Sequence, residues 1–245
     1  MTHLLDDFEI DFGDIVSVIG SGGKTSLLYA LAREAQAVSM RVLLTTTTHI
    51  ARPKVEDFRL YTDLAALRTC LETDPTSAVY VFARSAGPDG MKLSALSEDD
   101  LELLQSYFDL ILIEADGSKR LPLKAWRDHE PVIDRLSTKT CMVLPIDLLE
   151  IPYREDLVFH PELFTEAYGV QERFEIETYL DILDPKRRPM QGAVGRLYVY
   201  LSRSDRVSAE RRDLLLRQLA EGLARRDYPF IKIVSSSGAS LETEF

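Results

Sequence analysis

The stretch Ile15-Val16-Ser17-Val18-Ile19-Gly20-Ser21-Gly22-Gly23-Lys24-Thr25-Ser26 decides the fold. Its first five residues form a β-branched, continuously apolar run, which reads as a strand buried on both faces. Glycines end that run. From Lys24 to about Ala37 the pattern turns helical, with Leu27, Leu28 and Leu31 on one apolar side. A strand, a glycine-rich turn and a helix headed by lysine form a phosphate-holding arrangement. Glycines let backbone N–H groups point inward around an anion, and the helix start adds its positive end. In that reading Gly20, Ser21, Gly22 and Gly23 cradle the phosphates. Lys24 reaches the β- and γ-phosphates and Thr25 offers a hydroxyl to Mg²⁺, with Ser26 as the fallback hydroxyl.

Outward from this loop, short apolar runs alternate with helical patterns. Arg41–Thr45, Val79–Phe82, Leu110–Ile113, Thr140–Leu144, Leu197–Leu201 and Phe230–Val234 read as further strands. Asp63 to about Glu72 reads as a helix with Asp63 as the candidate N-cap. Ser97 opens another helix with Asp99 and Asp100 in its first turn, where the helix dipole favours acids. Leu215, Leu219 and Leu223, four residues apart, mark a helix over 209–226. Strand–helix alternation implies crossovers and a mostly parallel sheet. The expected architecture is a P-loop NTPase-like three-layer α/β/α domain over 1–245, with a helical insertion at about 147–194, where prolines and short helical patterns break the rhythm.

The chain has 245 residues, 45% hydrophobic and 28% charged, and a net charge of −11. That acidity is repelled by DNA and by anionic membranes, so no nucleic-acid or membrane partner is expected. A phosphate ligand then needs a local positive site. The two cysteines, Cys70 and Cys141, stand alone, outside any CxxC pattern, and read as small apolar residues in a reducing compartment. The acidic start MTHLLDDFEIDFGD has no signal-peptide pattern and no run reaches the ~20 apolar residues of a spanning helix, so a cytoplasmic location is expected.

Leu110-Ile111-Leu112-Ile113-Glu114-Ala115-Asp116-Gly117 is an apolar strand ending in two acids, the pattern of a Walker B element. Carboxylates at that edge hold Mg²⁺ beside the phosphate loop. Glu114 and Asp116 are expected together, one near the metal and one polarising water or a substrate group. The plain alternative is a solvated turn. Lys119, Arg120 and Lys124 follow and suit an anionic partner or a transition-state charge, or form a surface charge run. His129 is a weaker candidate. Thr45-Thr46-Thr47-Thr48-His49 closes the second strand; Thr46, Thr47 and Thr48 are candidates for the γ-phosphate or Mg²⁺, against a simple β-propensity of threonine.

The loop departs from GxxxxGK[ST], because Val18 stands where the first glycine belongs. Its GxxGKT spacing resembles the ATP loop of Mur-type ligases. A dinucleotide GxGxxG would place its third glycine at Thr25 and has no use for Lys24. Ser202-Arg203-Ser204-Asp205 follows a strand where GTP-binding proteins carry NKxD, and Ser235-Ser236-Ser237-Gly238 follows the next strand. Asp205 is therefore a candidate guanine reader, or an acid ahead of the next helix.

Together VIGSGGKTSLL (18–28), TTTTHI (45–50), EADGSKRLPLKAW (114–126), HEPVI (129–133) and SRSD (202–205) resemble the YqeC proteins, described as accessory or selenium-cofactor biosynthesis proteins for selenium-dependent molybdenum hydroxylases. The likeness covers most of the chain, and its most specific part is the EADGSK–LPLK–HEP run. The sequence departs from the family at Ser202 and Arg203 in the base motif and at Trp126, where proline is the family's residue. The resemblance implies a role in maturing a molybdenum hydroxylase, with that enzyme or its cofactor as partner. The residues themselves leave three readings open: a Mg²⁺-dependent NTPase using ATP or GTP, a nucleotide-dependent chaperone with little turnover, and a Mur-like ligase or small-molecule kinase. A dehydrogenase is the remotest.

Overall fold

Strand β1 (Asp14–Gly20) is buried along its whole length because both of its faces are covered. Alternation divides its side chains: Ile15 and Ile19 enter one core, Val16 and Val18 the other. Each neighbouring strand repeats this division, which makes two hydrophobic cores, one on each side of a single sheet. The computed structural model describes residues 4–48, 50, 51, 58–74, 76–86, 92–238 and 240–242.

The sheet has nine strands. In chain order they are β1, β2 (Val42–Thr46), β3 (Arg59–Tyr61), β4 (Val79–Phe82), β5 (Leu110–Glu114), β6 (Lys139–Pro145), β7 (Arg196–Ser202), β8 (Phe230–Ser235) and β9 (Ser240–Glu242). Across the sheet they run β3-β4-β2-β5-β1-β6-β7-β8-β9. Every pairing is parallel except the last, where β9 turns back on β8. Continuously apolar strands are what a doubly covered parallel sheet requires, and the expected P-loop NTPase-like three-layer α/β architecture is the one found.

Helix α1 (Leu4–Asp7) and helix α2 (Lys24–Ala37) cover one face. Leu27, Leu28 and Leu31 of α2 pack with Val42, Leu44, Leu112 and Val143. The opposite face carries α3 (Leu64–Thr73), α4 (Glu98–Leu104), α5 (Pro161–Tyr168), α6 (Ile176–Ile182) and α7 (Ala209–Arg225), through Leu67, Leu101, Phe164, Leu180 and Leu219. Three helices start on side-chain caps: Asp63 accepts from Ala66 N–H at 2.8 Å, Ser97 forms a capping box with Asp100, and Ser208 accepts from Arg211 N–H. Between β6 and β7 the chain carries α5, α6 and the two-residue strand Val158–Phe159, which pairs with Leu123–Lys124. Cys141 is buried in the α2 core, where burial pushes its thiol pKa up, and Cys70 is partly buried on α3. No helix among the described residues is long and apolar enough to cross a membrane.

The order of the central strands positions the site. β5 lies on one side of β1 and β6 on the other, so the chain changes direction across the sheet around β1. At such a point the loops leaving adjacent parallel strands part and leave a crevice at their C-terminal ends.

Candidate phosphate and metal site

The loop after β1 is shaped by close backbone contacts. Gly20 has φ +95°, and a Cβ there would stand 2.2 Å from Val143 O. Gly22 has φ +80°, and a Cβ there would stand 2.7 Å from Pro122 O. Only glycine meets both demands. Ser21 is fully buried and donates to Pro122 O at 3.0 Å, and Ser202 Oγ donates to Gly22 O at 3.0 Å. Arg203 Nε donates to the same carbonyl at 3.2 Å. The turn is thus held by the segment after β5, by β6 and by the end of β7 before α2 begins.

Lys24 is the first residue of α2, and its side chain is buried. Its ammonium donates to Gly20 O at 2.6 Å and lies 3.0 Å from Asp116 Oδ1 and 3.8 Å from Glu114 Oε1. Pairing of β1 with β5 sets this up, because Val18 is in register with Glu114. Both strands then deliver their ends to one place.

The two acids have different surroundings. Asp116 has no exposed surface. Its Oδ2 accepts from Gly20 N–H at 3.0 Å and Trp126 Nε1–H at 2.7 Å, with Lys124 Nζ at 3.5 Å. Oδ1 is buried, with its ion pair to Lys24 outside hydrogen-bond alignment. Asp116 therefore sits beneath the loop as its anchor rather than facing the cleft. Glu114 faces outward: its Oε2 accepts from Thr25 Oγ1 at 3.3 Å. Burial raises the Glu114 pKa above the usual carboxylate range; the Asp116 charge adds to this and Lys24 opposes it.

Lys124 is fully buried. It donates to Gly117 O at 2.7 Å and to Glu130 Oε2 at 3.1 Å, so it fixes the start of the Gly117–Arg120 turn. Lys119 and Arg120 are exposed with φ of +46° and +65°. Thr46 Oγ1 donates to Glu114 O at 2.8 Å and caps the Thr48 N–H at 3.0 Å; Thr47 Oγ1 donates to Val132 O at 2.6 Å. Thr45, which also lines the cleft, donates its hydroxyl to Phe82 O at 2.8 Å. His49 lies outside the described residues.

An open cleft of about 1480 Å³ runs over these groups, lined by Gly22, Gly23, Lys24, Thr25, Ser26, Thr47, Thr48, Glu114, Lys119 and Arg120, with His129, Phe159 and Arg203. Thr46 lies just beneath it, buried. Asp205 is exposed in a short turn after β7, Ser204–Arg206, and does not line the cleft. Its neighbour Ser204 is bound to the loop after β8, through Ser236 Oγ at 2.9 Å and Ser235 Oγ at 2.7 Å. No group of three or more His, Cys, Asp or Glu among the described residues is placed to hold a metal.

Residue-by-residue reading did not single out Trp126, Glu130 or Ser202 for the site. The signal available was their place within or beside the EADGSK–LPLK–HEP and SRSD runs. Their partners, Asp116, Lys124 and Gly22, come from other parts of the chain and are set only by folding.

A parallel sheet with a clamped glycine turn, a lysine heading the next helix and an acid at the end of the adjacent strand places the molecule among α/β proteins of P-loop NTPase-like architecture. Within that class the chain belongs to the YqeC family: the family model described as "YqeC protein" matches residues 16–162, more than half of the chain. It is similar to "Uncharacterized protein YqeC" of Escherichia coli (strain K12), with 39% identity over 135 residues that cover 54% of this chain and 50% of that protein. A shorter match, 32% identical over 89 residues, covers 33% of this chain and 19% of "Uncharacterized HTH-type transcriptional regulator YdcR" of the same organism. The matched part thus spans half the length of the first relative and under a fifth of the second.

Proposed function

We propose that the cleft binds a nucleoside triphosphate with Mg²⁺ and that the protein is a slow nucleotide hydrolase. The observation that carries this reading is the ammonium of Lys24 at the head of α2, held at the mouth of a glycine turn by Asp116 and Glu114 at 3.0 and 3.8 Å. Such a lysine is ready to exchange carboxylate for phosphate oxygens, and the N–H groups at the start of α2 suit an anion. The donors facing the cleft fit Mg²⁺: Thr25 Oγ1 and Glu114 are adjacent hard oxygens, and Mg²⁺ takes one or two protein ligands plus phosphate and water. When bound, the ion neutralises charge on the β- and γ-phosphates. Glu114 and Thr25 would hold it, and Asp116 keeps the loop and Lys24 in place.

A second reading, a nucleotide-dependent chaperone with little turnover, is favoured by one observation. Asp116 is spent on the loop, and Glu130 is paired with Lys124, so Glu114 alone would serve both metal and water. Membership of the YqeC family supplies the setting we attach to either reading: maturation of a selenium-dependent molybdenum hydroxylase, with that enzyme or its cofactor as partner. ATP and GTP are decided by experiment, with Asp205 beside the Ser204–Ser235 contact as the candidate base reader.

Calorimetry with ATP, GTP and NADH in Mg²⁺ tests the proposal. One triphosphate is expected to bind and NADH not. Lys24→Ala should weaken binding roughly 10- to 100-fold, the worth of a charge-assisted bond. Because Lys24 is buried, Thr25→Ala is the companion variant and should weaken binding only when Mg²⁺ is present. No triphosphate binding at millimolar ligand sinks the proposal. Phosphate release by the wild type separates hydrolase from chaperone.

A further inference from the structure

The cleft has two unlike ends, set by sheet order. Loops after β6 and β7 bring Asp147, Arg203 and Arg206 to one side of the phosphate loop; the turn after β5 brings Lys119 and Arg120, and Phe159 joins them. On the first side the two arginines share one acid: Asp147 lies 3.6 Å from Arg203 and 3.3 Å from Arg206. On the second side no acid among the described residues pairs with the cations. Among the described residues Lys119 pairs with no acid and only covers the Phe159 ring, 5.0 Å from its centroid. Among the described residues the Arg120 side chain has no hydrogen bond, ion pair or ring contact. The acids lining the cleft are committed, Glu130 to Lys124 and Glu114 to Thr25 and Lys24.

The turn that carries these two cations has an uncommon backbone. Consecutive non-glycine residues in the left-handed region are uncommon, and 119 and 120 are both there. The turn's base is fixed by Lys124 on Gly117 O and by Leu121 N–H on Ser118 O at 2.9 Å. In a chain of net charge −11 an unmatched lysine–arginine pair at the rim of a cleft is a local anion attractor. Arginine's planar fork and lysine's point charge suit phosphate oxygens. The cleft, at about 1480 Å³, also exceeds the 300–1,000 Å³ usual for a single small ligand.

We propose that the Lys119–Arg120 end of the cleft is a second anion subsite, which takes a phosphate-bearing small molecule beside the nucleotide. The inference rests on the nucleotide reading for the neighbouring half of the cleft. It makes the protein a two-ligand binder, with Glu114 and Thr25 lying between the two anions.

The test is a calorimetric titration of inorganic phosphate into protein saturated with Mg²⁺ and a non-hydrolysable triphosphate analogue. One phosphate per chain is expected. Lys119→Ala/Arg120→Ala should weaken phosphate at least about tenfold more than it weakens the analogue. Both side chains are exposed, so the variant should keep the wild-type melting temperature. No phosphate binding to the saturated wild type overturns the subsite. Equal loss of phosphate and analogue does so too, because the pair then serves the nucleotide's own phosphates. Acetate binding as well as phosphate would overturn the ligand class. If no triphosphate binds the wild type, the nucleotide reading falls by itself. Phosphate titrated into Lys24→Ala, with and without the Lys119 and Arg120 substitutions, then decides the subsite alone: binding lost only with the pair upholds it, and binding absent or unaffected overturns it.

Discussion

Lys24 and Asp116 form a buried ion pair whose surroundings explain its persistence. Asp116 is compensated by two lysines, one backbone N–H and the indole of Trp126. A buried charge of this kind is costly once a partner is removed. Asp116→Ala should therefore destabilise the protein by about 3–5 kcal/mol in urea unfolding, because Lys24 and Lys124 stay buried with fewer partners. A loss under ~1 kcal/mol would contradict the anchoring role. Trp126 is the sole tryptophan and its indole lies on the same carboxylate that holds Lys24. Phosphate drawing Lys24 away from Asp116 should change the field at the indole. Triphosphate binding is therefore expected to shift Trp126 emission, and Lys24→Ala should abolish the shift. Heat of binding with unchanged emission would show that Lys24 does not leave Asp116. At this scale the sequence showed which side chains carry charge but not which way they face. Glu114 and Asp116 sit two residues apart, yet one meets the cleft and the other the loop's underside. The difference comes from Trp126 and Lys124, whose approach depends on the chain returning through Leu123–Lys124 to pair with Val158–Phe159.

Elements were more legible than their partners. Helix α2 spans Lys24–Ala37, the range its leucine spacing marks out, and Asp63 and Ser97 cap their helices as their positions suggest. Apolar runs mark seven strands of the large sheet to within one residue at each end. Two escape: β3 has three residues at an edge, and β9 is a short antiparallel addition, so neither carries enough apolar residues to stand out. The glycine turn after β1 was legible because glycine is required there, and the requirement can be measured. Gly20→Ala places a Cβ 2.2 Å from a backbone oxygen at φ +95°, which neither strand can relieve. It should cost roughly 3 kcal/mol or more. Gly117→Ala meets nothing within 4 Å and needs no positive φ; its melting temperature should stay near that of the wild type. Similar losses for both variants would show that the clamp against Val143 does not shape the loop.

For the whole molecule, alternating strands and helices predict a parallel sheet but leave strand order open, since each helix can cross to either side of β1. The placement of β5 and β6 on opposite flanks, which makes the cleft, comes from long-range pairing that no local pattern carries. The same pairing builds a second charged site at the other end of β1. Asp14, beside the first residue of β6, accepts from Asp11 N–H at 2.7 Å, from the Thr138 hydroxyl and from the Lys139 ammonium. Burial pushes the Asp14 pKa up, but the Asp11 N–H, Lys139 and Thr138 outweigh it and hold the carboxyl below its usual range. A folded pKa below the unfolded one means that Asp14 contributes stability at pH values above the usual carboxylate range. That contribution disappears as pH falls through the depressed folded pKa. Asp14→Asn should therefore cost about 3 kcal/mol at pH 7, since Lys139 is left buried against a neutral partner. The gap to the wild type should close as urea unfolding is repeated at successively lower pH below about 4. Adding Lys139→Met should recover most of the loss at pH 7, because the orphaned charge is then gone. A gap that stayed constant into the acid range would mean that the cost of Asp14→Asn lies in packing, and that the ion pair at this end of the sheet contributes little to holding β1 against β6.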